Sequence, residues 1–294
     1  MQILDILNIV LPTFIIIAIG YIFGKITKTD FAPVANIALY VGAPAIVLTS
    51  LLNNPVVLLD AAKVWGASLV IMLGCGIVAY LVFTMLKQEH SGLYVPIIIM
   101  NTVNLPFPIA YFAYGTEGLT AASLFSIPVT LVLFSLGVYI VAGKQRKQNI
   151  REVFKIPVLY AAVLGLFLNF FRVDVPELAI NSLDIIAKMG IPLVLLILGY
   201  NLSRVKITSL PITFLASFLR IGVGLMIGFL IVNLLGITGV FRSVVILESA
   251  MPAAATSVII ATKYRSEEGL VSSVVFITTI TSLIVIPFLL NALS

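Results

Sequence analysis

The chain of 294 residues is 61% hydrophobic and only 10% charged, with a mean hydropathy of +1.20. Soluble domains hold roughly 45–50% apolar and about 25% charged residues, so a water-soluble globule is excluded and lipid must solvate most of the surface. The formal charge of +5 then reads as basic residues gathered on the cytoplasmic side rather than a nucleic-acid surface, while a single cysteine (Cys75) and a single histidine (His90) exclude an intrachain disulfide and a His-rich metal site.

A membrane crossing needs about 20 apolar residues. Such stretches fall near 6–24, 33–53, 64–86, 93–114, 118–142, 156–171, 179–201, 209–235, 240–262 and 269–291. The pattern predicts an all-α integral membrane protein of ten transmembrane helices. No basic residue precedes the first apolar run, which therefore reads as a retained span rather than a cleaved signal peptide. The connections are short, except for a basic loop at 144–155. That loop divides the chain into a five-span half at 1–143 and another at 156–294.

Orientation follows from Lys and Arg in the short loops. With both termini outside, Lys25, Lys28, Lys87, Lys144, Arg146, Lys147, Arg151, Lys155, Arg204, Lys206, Lys263 and Arg265 all fall inside. Only Lys63, Arg172 and Arg242 fall outside, and Lys188 and Arg220 lie within spans. A multi-pass protein of the cell membrane with both termini on the extracytoplasmic side is expected.

The two halves carry the same landmarks in the same order. Span 2 has Gly42-Ala-Pro44 and span 7 has Gly190-Ile-Pro192; span 5 opens at Glu117-Gly-Leu and span 10 at Glu268-Gly-Leu. Spans 4 and 9 are both interrupted by proline, at Pro106 and Pro108 and at Pro252. Five spans per half is an odd number, so the second repeat is inverted in the membrane, an architecture of secondary transporters.

A proline within a helix frees the carbonyl four residues earlier. Pro106 and Pro108 are expected to release those of Thr102 and Asn104, and Pro252 that of Glu248. Free backbone at this depth survives only in packed protein or beside a wet cavity. Asn101, Thr102, Asn104, Thr256 and Ser257 suit a cavity, with amide ends for an anion and carbonyl ends for a cation. The alternative is that these prolines only kink ordinary helices.

Charges in the membrane are costly and usually functional. Lys188 either faces an anionic substrate, with its repeat equivalent Tyr40 opposite, or pairs with Asp184 one turn earlier. Glu248, with Ser249 beside it, either carries a coupling proton or sodium ion or forms a salt bridge with Arg220.

The run Glu248-Ser-Ala-Met-Pro252-Ala-Ala-Ala-Thr256-Ser, together with Asn101-Thr102, Pro108, Tyr114-Gly115 and Glu117, resembles the auxin efflux carrier family. The resemblance covers essentially the whole chain. Val103, Asn104 and the extra Pro106 depart from the family pattern. The resemblance implies a fold similar to that of bile-acid sodium symporters. Spans 1, 2, 6 and 7 would form a scaffold that dimerises, and spans 3–5 and 8–10 a core that moves like an elevator. It also implies carboxylate cargo such as auxin, malate or malonate, framed by Asn101, Pro108 and Pro252. The short central loop matches the compact bacterial-type permeases.

The expectation is thus a secondary transporter of small organic anions, with no cofactor or metal and with proton or sodium coupling. A sodium symporter of bile-acid-like anions is the nearest alternative. A channel, an ATP-driven permease subunit and an intramembrane enzyme are more remote. No His-Glu-x-x-His, paired intramembrane aspartates or Gly-x-Ser-x-Gly is present, and Gly20-x-x-x-Gly24-Lys25 is one residue short of a phosphate loop.

Overall fold

In a bilayer a helix satisfies every backbone N–H and C=O within one segment, so the long apolar runs have little choice of structure. The computed structural model describes residues 3–27, 29–137, 139–140, 157–205 and 207–293. Across these the chain is all-α, apart from one isolated antiparallel bridge. The basic loop expected at 144–155 lies outside the described residues.

In chain order the helices are α1 (Ile3–Ile26), α2 (Pro33–Asn53), α3 (Leu58–Met85), α4 (Tyr94–Ile98), α5 (Pro106–Gly137) and α6 (Pro157–Phe170). There follow α7 (Glu177–Leu202), α8 (Leu210–Leu234), α9 (Gly239–Ser249), α10 (Thr256–Tyr264) and α11 (Glu268–Leu293). Among the described residues seven of these, α1, α2, α3, α5, α7, α8 and α11, are long and apolar enough to cross a membrane, and α6 is a shorter apolar helix. The molecule presents large apolar side chains outward, among them Leu178 (80% exposed), Leu234 (81%) and Phe288 (72%). Water would not tolerate that surface; acyl chains do.

Two boundaries differ from expectation for physical reasons, and a third falls between two expected stretches. Helix α3 starts at Leu58 rather than near 64, because hydropathy stops at Asp60 and Lys63 whereas the helix does not. Asp60 sits in the first turn, where a carboxylate suits the positive end of the helix. The expected spans at 93–114 and 118–142 meet within α5 at Gly115, whose φ of 65° and ψ of −151° interrupt the helix. A Cβ on Gly118 would strike the carbonyl of Ala110, eight residues earlier. A straight helix would put those residues about 12 Å apart, so the chain doubles back there. Finally, the break expected at the prolines lies beside them. Helix α4 ends at Ile98, and Pro106 occupies the first turn of α5, where its missing N–H costs nothing. Pro106 and Pro108 therefore start a helix rather than kink one, and no helical carbonyl of Thr102 or Asn104 is released by them.

Small residues set the closest helix contacts, as they do where lipid supplies no hydrophobic drive between helices. Helix α1 packs on α7 with Gly20 over the backbone of Leu196 and Gly199 over the carbonyl of Ile17, so Gly20-x-x-x-Gly24 serves as a packing face. Helix α2 packs on α6 and α7. It crosses α7 where the two repeat motifs meet: a Cβ on Gly42 would lie 3.1 Å from the Cα of Gly190. Helix α3 packs on α5 and α8, α9 on α5 and α8, and α11 on α8 and α10. Glu267 ties the segment before α4 to that before α11, accepting from Gly92 N at 2.8 Å and meeting His90 Nδ1 at 2.6 Å.

Candidate functional site

The two segments expected as interrupted spans cross at their breaks. Ile99 leaves α4 in extended conformation, and residues 99–101 run antiparallel to 252–254. Asn101 N donates to Pro252 O at 2.7 Å, and Ala254 N donates to Ile99 O at 3.1 Å. Ala253 N finds the hydroxyl of Thr278, on α11, at 3.1 Å. Four of the backbone groups in the two unwound segments, Ile99 O, Asn101 N, Pro252 O and Ala254 N, thus satisfy one another.

The crossover has two chemically opposite sides. On one side lie the N-terminal ends of α5 and α10, which border a cleft of about 190 Å³. Asn101, Thr102, Asn104 and Thr256 line it, with Ala38, Val194 and Ile197 forming part of an apolar wall. Asn101 accepts from Asn104 N through Oδ1 at 3.0 Å, which fixes the amide and leaves Nδ2, buried, without a partner. The buried Ser257 Oγ, in the first turn of α10, is also unpartnered. Among the described residues no Lys, Arg or His lines the cleft.

On the other side lie the C-terminal ends of α4 and α9, where the side chain of Arg220 is fully buried. It donates from Nη1 to Ile97 O (2.8 Å) and Ile98 O (3.2 Å), and from Nη2 to Ser249 O (2.8 Å). Arg220 sits in a π-helical turn of α8, Leu219–Val223, and such turns re-aim side chains at the cost of regular helix geometry. A Cβ on Gly224 would collide with its guanidinium and with Ser249 O, and one on Gly228 with Ser249 Oγ.

The expected site residues divide accordingly. Asn101, Thr102, Asn104 and Thr256 come together in the cleft; Pro106, Pro108 and Pro252 are buried behind it as architecture. Lys188 and Tyr40 do not line it. Lys188 is 74% exposed and pairs with Asp184 at 3.5 Å, and Tyr40 is half exposed on a π-helical turn, Ala38–Gly42. Glu248 is fully buried, and neither carboxylate oxygen has a hydrogen-bond partner; the alternative salt bridge with Arg220 is not formed among the described residues. Ser249 is committed twice over, its hydroxyl to Ile246 O at 2.7 Å and its carbonyl to Arg220.

Sequence reading missed the far ends of α2 and α5. The 35–43 end of α2 and the 129–133 end of α5 border the cleft, whereas their opposite ends are bolted together. Ser50 Oγ donates to Ser123 Oγ at 2.8 Å, Asn54 Nδ2 to Thr120 Oγ1 at 2.8 Å, and Thr116 Oγ1 to Asn54 Oδ1 at 3.2 Å. Asn169 of α6 clamps the end of α2, donating to Asn54 O at 2.7 Å and accepting from Val56 N at 2.9 Å. Ser and Thr are common in transmembrane helices, so nothing local singles these out. Asn201 and Thr130 of the cleft wall were missed for the same reason.

Residues 5–290 match the family described as membrane transport protein. An uncharacterized transporter of Methanocaldococcus jannaschii is 29% identical over 298 residues, covering 95% of this chain and 96% of the relative. An uncharacterized transporter of Methanothermobacter thermautotrophicus is 26% identical over 293 residues, covering 95% of each. With a crossover of interrupted helices in an apolar bundle and a family match over nearly its whole length, the chain belongs to the membrane transport protein family, that of the auxin efflux carriers, and is a multi-pass membrane transporter.

Proposed function

We propose that this protein is a secondary transporter of small organic anions, working by alternating access around the crossover. The observation that carries this reading is the buried, unpartnered Asn101 Nδ2 in a cleft bordered by the positive ends of the α5 and α10 helix dipoles. Helix N-termini and buried donors together make a receptor for a carboxylate that needs no cationic side chain. The apolar walls suit a carboxylate with an apolar body better than a malate- or malonate-like dianion. A cleft of about 190 Å³ also lies below the roughly 300–1,000 Å³ of sites for drug-sized ligands, which disfavours bile-acid-like cargo.

Ten crossings in two inverted five-helix repeats follow if 94–114 and 239–264 each cross as an interrupted span and α6 crosses as a short one. The meeting of the Gly42 and Gly190 motifs supports the repeat. The packing of α7 on α1 and α2, and of α2 on α6, supports their assignment as a scaffold, and the packing of α3–α5 and α8–α11 their assignment as the moving core. The half-exposed aromatic face of α6, with Tyr160 and Phe167, offers a scaffold surface for a homodimer. With both termini extracytoplasmic, the cleft faces the cytoplasm and the Ser50–Asn54 contacts with α5 close the outer side. Elevator motion would break those contacts.

The test is uptake into proteoliposomes against a panel of mono- and dicarboxylates. Asn101→Ala and Pro252→Ala are expected to abolish uptake while leaving expression and folding intact. Normal transport by both purified variants would overturn the assignment.

A further inference from the structure

We propose that Arg220 is the resident counter-cation of the crossover, holding the carbonyl ends of both half-helices where a coupling sodium ion would otherwise sit, so that the carrier needs no sodium. Carbonyl ends of interrupted helices carry partial negative charge, and two of them amount to at most about one elementary charge. One guanidinium matches that charge and supplies the planar, multidentate fork to reach both ends at once. Arg220 does so with three hydrogen bonds of 2.8–3.2 Å, to Ile97 O, Ile98 O and Ser249 O.

The donor set left for a metal ion is poor. A hard cation requires a shell of several oxygens. Here Ile97, Ile98 and Ser249 have given their carbonyls to the guanidinium, and Ser249 Oγ donates to Ile246 O. Among the buried side-chain oxygens of these two segments, the described residues leave those of Glu248 unpartnered. Space is equally short, because even a Cβ on Gly224 would meet both the guanidinium and Ser249 O. On the cleft side the positive ends of the α5 and α10 helix dipoles disfavour a cation. Burying a lone Arg in a membrane protein is expensive, and this one is held by three backbone acceptors rather than by a carboxylate. That leaves Glu248 uncommitted, as the group able to exchange a proton.

The consequence for coupling rests on the transporter reading, but the placement of the cation can be tested without any substrate. The purified full-length protein is melted in sodium chloride and in choline chloride at equal ionic strength. The wild-type midpoint is expected to differ by less than about 1 °C between the two, since a ligand with no site confers no stability. Arg220→Ala is expected to melt about 10 °C lower, with three buried acceptors left unpaired. It should recover part of the loss on addition of millimolar methylguanidinium, a response that a merely structural arginine would not create. Arg220→Lys, which keeps the charge and loses the fork, should fall between the two. If the Ala variant does not fold, the wild-type salt comparison and the Lys variant carry the test. A sodium-specific rise in the wild-type midpoint, or an Ala or Lys variant as stable as wild type and indifferent to methylguanidinium, overturns the proposal. A carboxylate panel that finds no cargo would count against the anion reading instead.

Discussion

Breaking the contacts between the far ends of α2 and α5 should tip the carrier towards its other face. Asn54→Ala removes two hydrogen bonds between these helices, Asn54 Nδ2 to Thr120 Oγ1 at 2.8 Å and Thr116 Oγ1 to Asn54 Oδ1 at 3.2 Å. At about 1 kcal/mol net for each bond, the described state loses roughly 2 kcal/mol relative to one in which those helices have separated. That is about a 30-fold change in the equilibrium between the two. The state is read with a cysteine at Thr130, in the cleft wall, on a Cys75→Ser background; Cys75 is buried. Vesicles of each orientation are treated with a membrane-impermeant maleimide. The ratio of labelling from the cleft side to labelling from the opposite side should fall about 30-fold in Asn54→Ala. An unchanged ratio in a folded variant would refute both the magnitude and the idea that these residues separate during transport.

Two further outcomes follow from the same geometry. The pair Ser50→Cys and Ser123→Cys replaces hydroxyls 2.8 Å apart, so oxidation should join them, stop uptake and hold Thr130→Cys reactive from the cleft side, with reductant restoring transport. Free transport by the oxidised pair would show that α2 and α5 do not part. Glu248→Gln removes the uncommitted buried carboxyl while keeping its shape. Uptake driven by an imposed proton gradient should then lose its dependence on that gradient, whereas a variant that still follows the gradient would remove Glu248 from the coupling path.

Much of this molecule is legible from the amino-acid string because the bilayer removes alternatives. Where no water is available, an apolar run of the right length must be a helix. Helices α1, α2, α7, α8, α11 and the short α6 accordingly fall within a few residues of the expected stretches, whereas α3 extends past Asp60 and α5 overlaps two of them, 93–114 and 118–142, with its interruption at Gly115 between the two. The Gly42 and Gly190 motifs were visible as repeat landmarks, and Asn101, Thr102, Asn104 and Thr256 as polar residues beside a break. What the string could not supply was direction and pairing. A proline announces a discontinuity without saying on which side of it the helix ends; only the pairing of 99–101 with 252–254 decided that Pro106 opens a helix. Lys188 had the charge and periodicity of a substrate ligand, yet the orientation of α7 turns it out of the cleft to meet Asp184. Glu248 and Arg220 are the natural ion pair on charge alone. The tertiary structure gives Arg220 to three carbonyls instead, because interrupted helices present concentrated backbone charge that no residue pattern spells out.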